Sequence, residues 1–195
     1  NEAFEGGGVG VAAEGVFNAR NTRIESNKGY ESAGGVGVTL GGVFNAEESV
    51  TIKGNRADSG NPEDFPSFGG GVFVAEGGIF YAKNNTTIES NEADYGGGVC
   101  VTGPHDGTER GNFYAESVTI KENRAKNVGG GIAWVTGISE IRTRVNTWTP
   151  ASDQEQEFSV TTTGEIHAKT TGDPVQVFEN TSEKGGSQMK VFGNP

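Results

Sequence analysis

Four copies of one phrase, and the opening of a fifth, restrict this chain to a stacked repeat fold. The phrase runs Gly-Gly-Val-x-Val, then Phe-x-Ala, then Ile-x-x-Asn. It reads Val9, Phe17, Ile24, Asn27; Val36, Phe44, Ile52, Asn55; Val72, Phe80, Ile88, Asn91; and Val99, Phe113, Ile120, Asn123, with a fifth opening at Gly129-Gly130-Gly131-Ile132. Valine-to-valine steps are 27, 36 and 27 residues, and the last step, to Ile132, is 33. A period of this kind marks units that bury their apolar faces only against neighbouring copies.

Each copy holds three short alternating segments, as in Val72-Phe73-Val74, Phe80-Tyr81-Ala82 and Thr86-Thr87-Ile88. Period-two alternation sends the outer members of a triplet to one face. That face is apolar in nearly every copy, whereas the middle member ranges over Gly, Phe, Cys, Asn, Tyr, Thr and Arg. The outer members are therefore expected to point inward and the middle ones to solvent, which makes Cys100 a surface thiol. Segments this short are stable only when each pairs with its copy above and below, about 4.8 Å away. The pattern predicts an all-β parallel β-helix of about six to seven coils, with one strand from each coil in each sheet. The 33 glycines and the two-residue period exclude a helical solenoid.

Length varies only between segments. Ile to Asn is always three residues, but Val to Phe is eight in three copies and fourteen in the fourth. Asn to the next copy's first inward residue is nine, seventeen, eight and nine. The recurring Asn suits a left-handed turn residue. Stacked in register, Asn27, Asn55, Asn91 and Asn123 could also form an amide ladder.

Asn1-Glu2-Ala3 matches Asn91-Glu92-Ala93, so the chain is expected to begin inside a repeat of a longer protein. Residues 1–135 form the regular coils of about 27 residues. Residues 136–195 are either irregular continuation coils or an all-β C-terminal cap. In the first reading Phe158-Ser159-Val160, Ile166-His167-Ala168 and Val175-Gln176-Val177 supply the strands of a further coil that ends at Asn180. Asn123 to Asn180 is 57 residues, close to two periods.

Chemistry is sparse. A net charge of −11 argues against direct binding to nucleic acid or an anionic membrane. The single cysteine excludes an internal disulfide. The chain has no nucleophile elbow, phosphate-binding loop, paired-histidine motif or Cys-x-x-Cys. Its two histidines, His105 and His167, read as solvated surface groups. Outward columns give no cluster of carboxylates with a basic residue, as polysaccharide-cleaving enzymes on stacked-coil folds require. Tyr81 and Tyr114 fall in adjacent coils, where they could stack on a sugar ring or on each other; mutual packing is favoured.

Two insertions stand out, at 58–68 and 102–111. Insertions in a solenoid project from one edge and often carry partner contacts. The candidate binding residues are therefore Asp58, Asn61, Glu63, Asp64, Phe65 and Phe68 in the first, and His105, Asp106 and Arg110 in the second. No catalytic residue, metal ligand or cofactor is expected.

The Gly-Gly-x-aliphatic and aliphatic-x-x-Asn tetrapeptides resemble the repeats of the chlamydial polymorphic outer-membrane proteins. Gly69 through Asn91 and Gly96 through Asn123 carry the resemblance, which covers residues 1–135. It implies an autotransporter passenger: a right-handed parallel β-helix at the cell surface, acting in adhesion. In this chain Gly replaces the family's usual Ala after Gly-Gly, and Ile replaces its Phe before x-x-Asn. The leading functional expectation is a non-catalytic surface module that binds a protein or glycan partner, without nucleic acid or membrane insertion. A scaffold subunit docking through its insertions or open coil ends comes second, and a polysaccharide lyase or hydrolase third.

Overall fold

The computed structural model describes residues 1–62, 65–102, 109–135, 166–168 and 176–182. Among these residues all regular structure is β. The first turn of chain holds β1 (Glu2–Glu5), β2 (Val9–Val11), β3 (Val16–Arg20) and β4 (Arg23–Glu25). The second holds β5 (Lys28–Ser32), β6 (Val36–Val38), β7 (Val43–Glu48) and β8 (Thr51–Lys53). The third holds β9 (Arg56–Ala57), β10 (Val72–Val74), β11 (Ile79–Ala82) and β12 (Thr86–Glu89). The fourth holds β13 (Glu92–Tyr95), β14 (Val99–Thr102), β15 (Asn112–Ala115) and β16 (Val118–Lys121). Then follow β17 (Arg124–Val128), β18 (Ile132–Val135), β19 (Ile166–Ala168), β20 (Gln176–Phe178) and β21 (Thr181–Ser182).

Four parallel sheets result. Sheet A is ordered β1-β5-β9-β13-β17-β21, sheet B β18-β14-β10-β6-β2, sheet C β19-β15-β11-β7-β3 and sheet D β20-β16-β12-β8-β4. Successive strands visit the four sheets in turn, so every fourth strand returns to the same sheet. Sheets B, C and D are the three segments of the repeated phrase. Sheet A, directly after each Asn, was not foreseen. After charged Lys28, Arg56, Glu92 and Arg124, the buried residue is as small as Gly29, Ala57, Ala93 and Ala125. A single small residue after a charge carries too little pattern to read as a strand.

Like residues sit over like. Phe44, Phe80 and Phe113 are fully buried, with ring centroids 4.8 Å apart in the first pair and 5.6 Å in the second. Ile52, Ile88 and Ile120 form a second closed column, and Val36, Val72 and Val99 a third. Burying a side chain of this size is worth roughly 1.5–3 kcal/mol. Among the phenylalanines of this column, Phe17 at its start is the open one, 39% exposed.

The asparagines do form a ladder. Asn27 Nδ2 donates to Asn55 Oδ1 at 3.0 Å, Asn55 to Asn91 at 3.1 Å, Asn91 to Asn123 at 2.9 Å and Asn123 to Asn180 at 2.9 Å. The same oxygens accept the backbone N–H groups of Asn27, Asn55, Asn91 and Asn123. Each Nδ2 from Asn55 onward gives its other proton to the Ile carbonyl of the previous turn. The expectation of left-handed asparagines is corrected: the residue before each Asn takes that conformation, at Ser26, Gly54, Ser90, Glu122 and Glu179. The Asn side chain is thereby free to lie along the stack.

The Gly-Gly and Asn halves of the phrase belong together because they touch. A Cβ on Gly35, Gly71 or Gly98 would stand 2.9–3.0 Å from the Nδ2 of Asn55, Asn91 or Asn123. One position earlier, a Cβ on Gly97 would lie 2.2 Å from the Arg124 carbonyl oxygen of the next turn.

Spacing differences resolve into local events. Steps of nine rather than eight residues carry one extra residue in sheet A, between Gly29 and Ser32 opposite Ala3 and Glu5, and between Ala125 and Val128 opposite Ala93 and Tyr95. The 57-residue step from Asn123 to Asn180 is a single rung, not two periods. β18 occupies the sheet B place of the turn that β19 and β20 continue, pairing with β14 as they pair with β15 and β16. Residues 158–160, read as a further first strand, lie outside the described residues.

Candidate functional site

The first insertion leaves sheet A after Ala57 and returns at Ser67. Phe68 then bridges Ser32 on one side and Tyr95 on the other, taking up the strand where β9 broke off. Phe68 is therefore not a projecting contact residue. It is 7% exposed and packs on Phe73 and Tyr95, with ring centroids at 6.2 and 5.6 Å.

The base of this loop is pinned by a buried carboxylate. Asp94 Oδ2 accepts the Ser67 N–H and hydroxyl, each at 2.8 Å. Asp94 Oδ1 makes no hydrogen bond, and Lys126 Nζ stands 3.3 Å from it as ionic partner. Ser67 and Asp94 are both fully buried, so this hydroxyl–carboxylate contact is out of reach of any substrate.

Asp58 starts the loop half-buried. Its burial pushes the carboxyl pKa up, but the Gly60 N–H and the charges of Arg56, Lys126 and Lys28 outweigh that and hold it below the usual carboxylate range. Arg56 lies 2.9 Å away. Asn61 is exposed and its carbonyl accepts the Phe65 N–H at 2.9 Å. Phe65 is 48% exposed, and of the foreseen loop aromatics it is the one that faces outward. Glu63 and Asp64 lie outside the described residues.

The second insertion closes at its base, where the Gly111 N–H donates to the Thr102 carbonyl at 2.9 Å. Its far limb is tied to the neighbouring turn through the Gly77 N–H, which donates to the carbonyls of Glu109 and Arg110. Arg110 is half-buried. His105 and Asp106 lie outside the described residues, as does the side chain of His167. Nothing in the described parts brings the two insertions into one site.

Tyr81 and Tyr114 stack on each other, 4.9 Å apart at 17°, so each covers a ring face a sugar would need. Beside them on sheet D, Glu89 lies between Lys53 at 2.7 Å and Lys121 at 3.3 Å. The Lys53 hydrogen bond chiefly holds the Glu89 carboxyl low, with Lys121 adding to it against partial burial. Among the described residues, no three His, Cys, Asp or Glu side chains gather closely enough to hold a metal ion.

One expectation fails on sheet B. Cys100 is fully buried, and burial pushes its thiol pKa up. Phe73, Cys100 and Ala133, all middle members, form a second apolar cluster with Ala33, Phe68, Ala75 and Val135, outside the main core. Phe68 and Tyr95 fold over them from sheet A. The signal was present in the sequence. The middle column of sheet B reads Gly10, Gly37, Phe73, Cys100, Ala133, without a charge, whereas those of sheets C and D carry Asn, Tyr, Arg and Thr.

Comparison with protein-family models, with curated proteins and with solved structures finds no match.

Proposed function

We propose that this chain forms a right-handed parallel β-helix that serves as a non-catalytic surface or adhesion module, binding a protein or glycan partner. The observation that carries the reading is the division of labour between faces. Recurring inward residues (the Phe, Ile and Val columns and the asparagines) are occupied in the stack, while outward positions differ between sheets and along them, from Asn18 and Asn45 to Tyr81 and Tyr114 on sheet C and from Arg23 to Thr51 on sheet D. Such a rod displays a long variable surface on an invariant frame, as solenoid binding proteins do. The tetrapeptide resemblance supports the handedness, the surface location and the adhesive role. The exposed Phe65 loop is a contact site in this reading.

The direct test is adhesion of the purified chain, immobilised on beads, to cells, matrix proteins and a glycan array. Saturable binding that a soluble excess of the chain competes away is the expected result. Beads that bind no better than blank beads would overturn the proposal, and a glycan cleaved by the chain would replace it with an enzymatic one.

A further inference from the structure

Three Asn-x-Ser/Thr tripeptides occur in the chain: Asn84-Asn85-Thr86, Asn85-Thr86-Thr87 and Asn180-Thr181-Ser182. The tripeptide is the acceptor motif for attaching a sugar to the Asn side-chain nitrogen. It calls for a reachable amide and for the hydroxyl two residues on. The fold treats the three differently. Asn180 is 3% exposed and belongs to the ladder. Its Oδ1 accepts from the backbone and side chain of Asn123, and its Nδ2 donates to the Ile120 carbonyl at 3.1 Å. A sugar on that nitrogen would break the stack. Asn84 is exposed, but its Nδ2 donates to the Glu47 carbonyl of the previous turn at 2.8 Å. The hydroxyl its tripeptide requires belongs to Thr86, which is fully buried and donates to the Lys83 carbonyl at 2.6 Å.

Asn85 differs on both counts. It lies at the exposed corner where β11 of sheet C gives way to β12 of sheet D. Asn84 and Asn85 are both left-handed there, with φ of 46° and 64°, a backbone that Asn tolerates. The Asn85 backbone N–H donates to the Ser117 carbonyl of the next turn at 3.0 Å, which fixes the corner in the stack. Its side-chain amide has no hydrogen-bond partner among the described residues, so nothing has to break before it reacts. Thr87, two residues on, is the outward member of β12: Thr86 and Ile88 on either side are fully buried, whereas Thr87 is partly exposed. The corners above and below carry Ser49 and Ser117, side chains too short to fence in a group on Asn85.

We propose that Asn85 is a glycosylation site of the folded chain, with Thr87 supplying the hydroxyl that the transfer requires. The donor is a sugar carried on a diphosphate, and a separate enzyme makes the transfer. A bond forms between Nδ2 of Asn85 and C1 of the sugar as the bond from C1 to the diphosphate oxygen breaks. The diphosphate leaves with the bonding electron pair, and the enzyme's base takes one amide proton. The backbone bonds of the corner stay made throughout, and the Phe and Ile columns lie behind the sheets. A bulky polar group at this corner shields the seam between sheets C and D. The loop bearing Phe65 belongs to sheet A and stays open. The inference is independent of the adhesion reading.

The folded chain is incubated with a soluble N-glycosyltransferase specific for this tripeptide and a nucleotide-diphosphate hexose, and the products are mapped by peptide mass spectrometry. A single hexose, on Asn85, is expected. Asn85→Gln and Thr87→Val should each abolish it, and Asn84→Gln should leave it intact. A proteolytic digest of the chain, in which the ladder no longer exists, should accept hexose at Asn180 as well. The protein isolated from its own source is mapped in the same way and should carry a sugar on Asn85. An inhibitor of lipid-linked sugar assembly in the source cells separates the two carriers: it abolishes the modification if the diphosphate is borne by a lipid and spares it if borne by a nucleotide. Hexose on Asn84 or Asn180 of the folded chain, transfer that survives Thr87→Val, or an unmodified Asn85 in the protein from its source would each overturn the proposal.

Discussion

The side chains of Asn55, Asn91 and Asn123 each make four hydrogen bonds, all of them buried. Asn91 accepts from the backbone and side chain of Asn55 and donates to Asn123 and to the Ile52 carbonyl. Asn91→Ala would strand several of these groups, each worth about 1–3 kcal/mol when left unpaired. We expect a loss of at least about 3 kcal/mol, read from the urea midpoint. Glycines at two positions should behave in opposite ways. Gly97→Ala forces a Cβ onto the Arg124 carbonyl and should disrupt the stack, whereas Gly10→Ala should shift stability by no more than about 0.5 kcal/mol. Cys100 gives a third residue-level test. Its folded pKa is raised, so stability is intact below the ordinary thiol range and falls as pH rises above it, where only the unfolded chain ionises. A thiol reagent should label Cys100 only on unfolding, and Cys100→Ala should flatten the alkaline slope; rapid labelling of the native protein would show that the thiol is exposed.

At the scale of the element, the first insertion separates into a removable loop and an indispensable end. Residues 58–66 interrupt sheet A, but Ser67 and Phe68 complete it by hydrogen bonding to Asp94 and bridging to Ser32 and Tyr95. Joining Ala57 directly to Ser67 would restore the short connection of the next turn, Ala93-Asp94-Tyr95. That deletion should fold with an unchanged amide pattern elsewhere. Phe68→Ala, by contrast, should cost about 3–5 kcal/mol, because it empties the second apolar cluster. A deletion that unfolds, or a tolerated Phe68→Ala, would reverse this division. Phe68 also shows where the sequence was hard to read. Inside an irregular stretch, nothing local distinguishes an aromatic that returns to a sheet from one that projects. Phe65, three residues earlier, does project.

Across the whole molecule, the phrase made sheets B, C and D legible, because each presents two inward side chains of fixed size per turn. Sheet A escaped notice because its inward residues are as small as Gly29 and Ala57. The second core over Cys100 escaped because alternation within one strand says nothing about an adjacent sheet folding over it. The ladder was foreseen as far as Asn123, but its continuation to Asn180 was misjudged by distance along the chain. β18 and β19 pair with the successive strands β14 and β15 of one turn although they are far apart in the chain, and chain length is a poor guide to rise along the stack when loops are free to grow. Under the proposed binding role, the frame recurs, so recognition is expected at what differs between turns, such as the exposed Phe65 loop. The frame itself is tested most directly by the side-chain amides of Asn27, Asn55, Asn91, Asn123 and Asn180 in an isotope-labelled sample. Through-space and hydrogen-bond couplings should link them in that order, with Asn123 coupled to Asn180. A spectrum in which these amides exchange freely with water, or in which Asn123 and Asn180 are uncoupled, would contradict the stacked architecture described here.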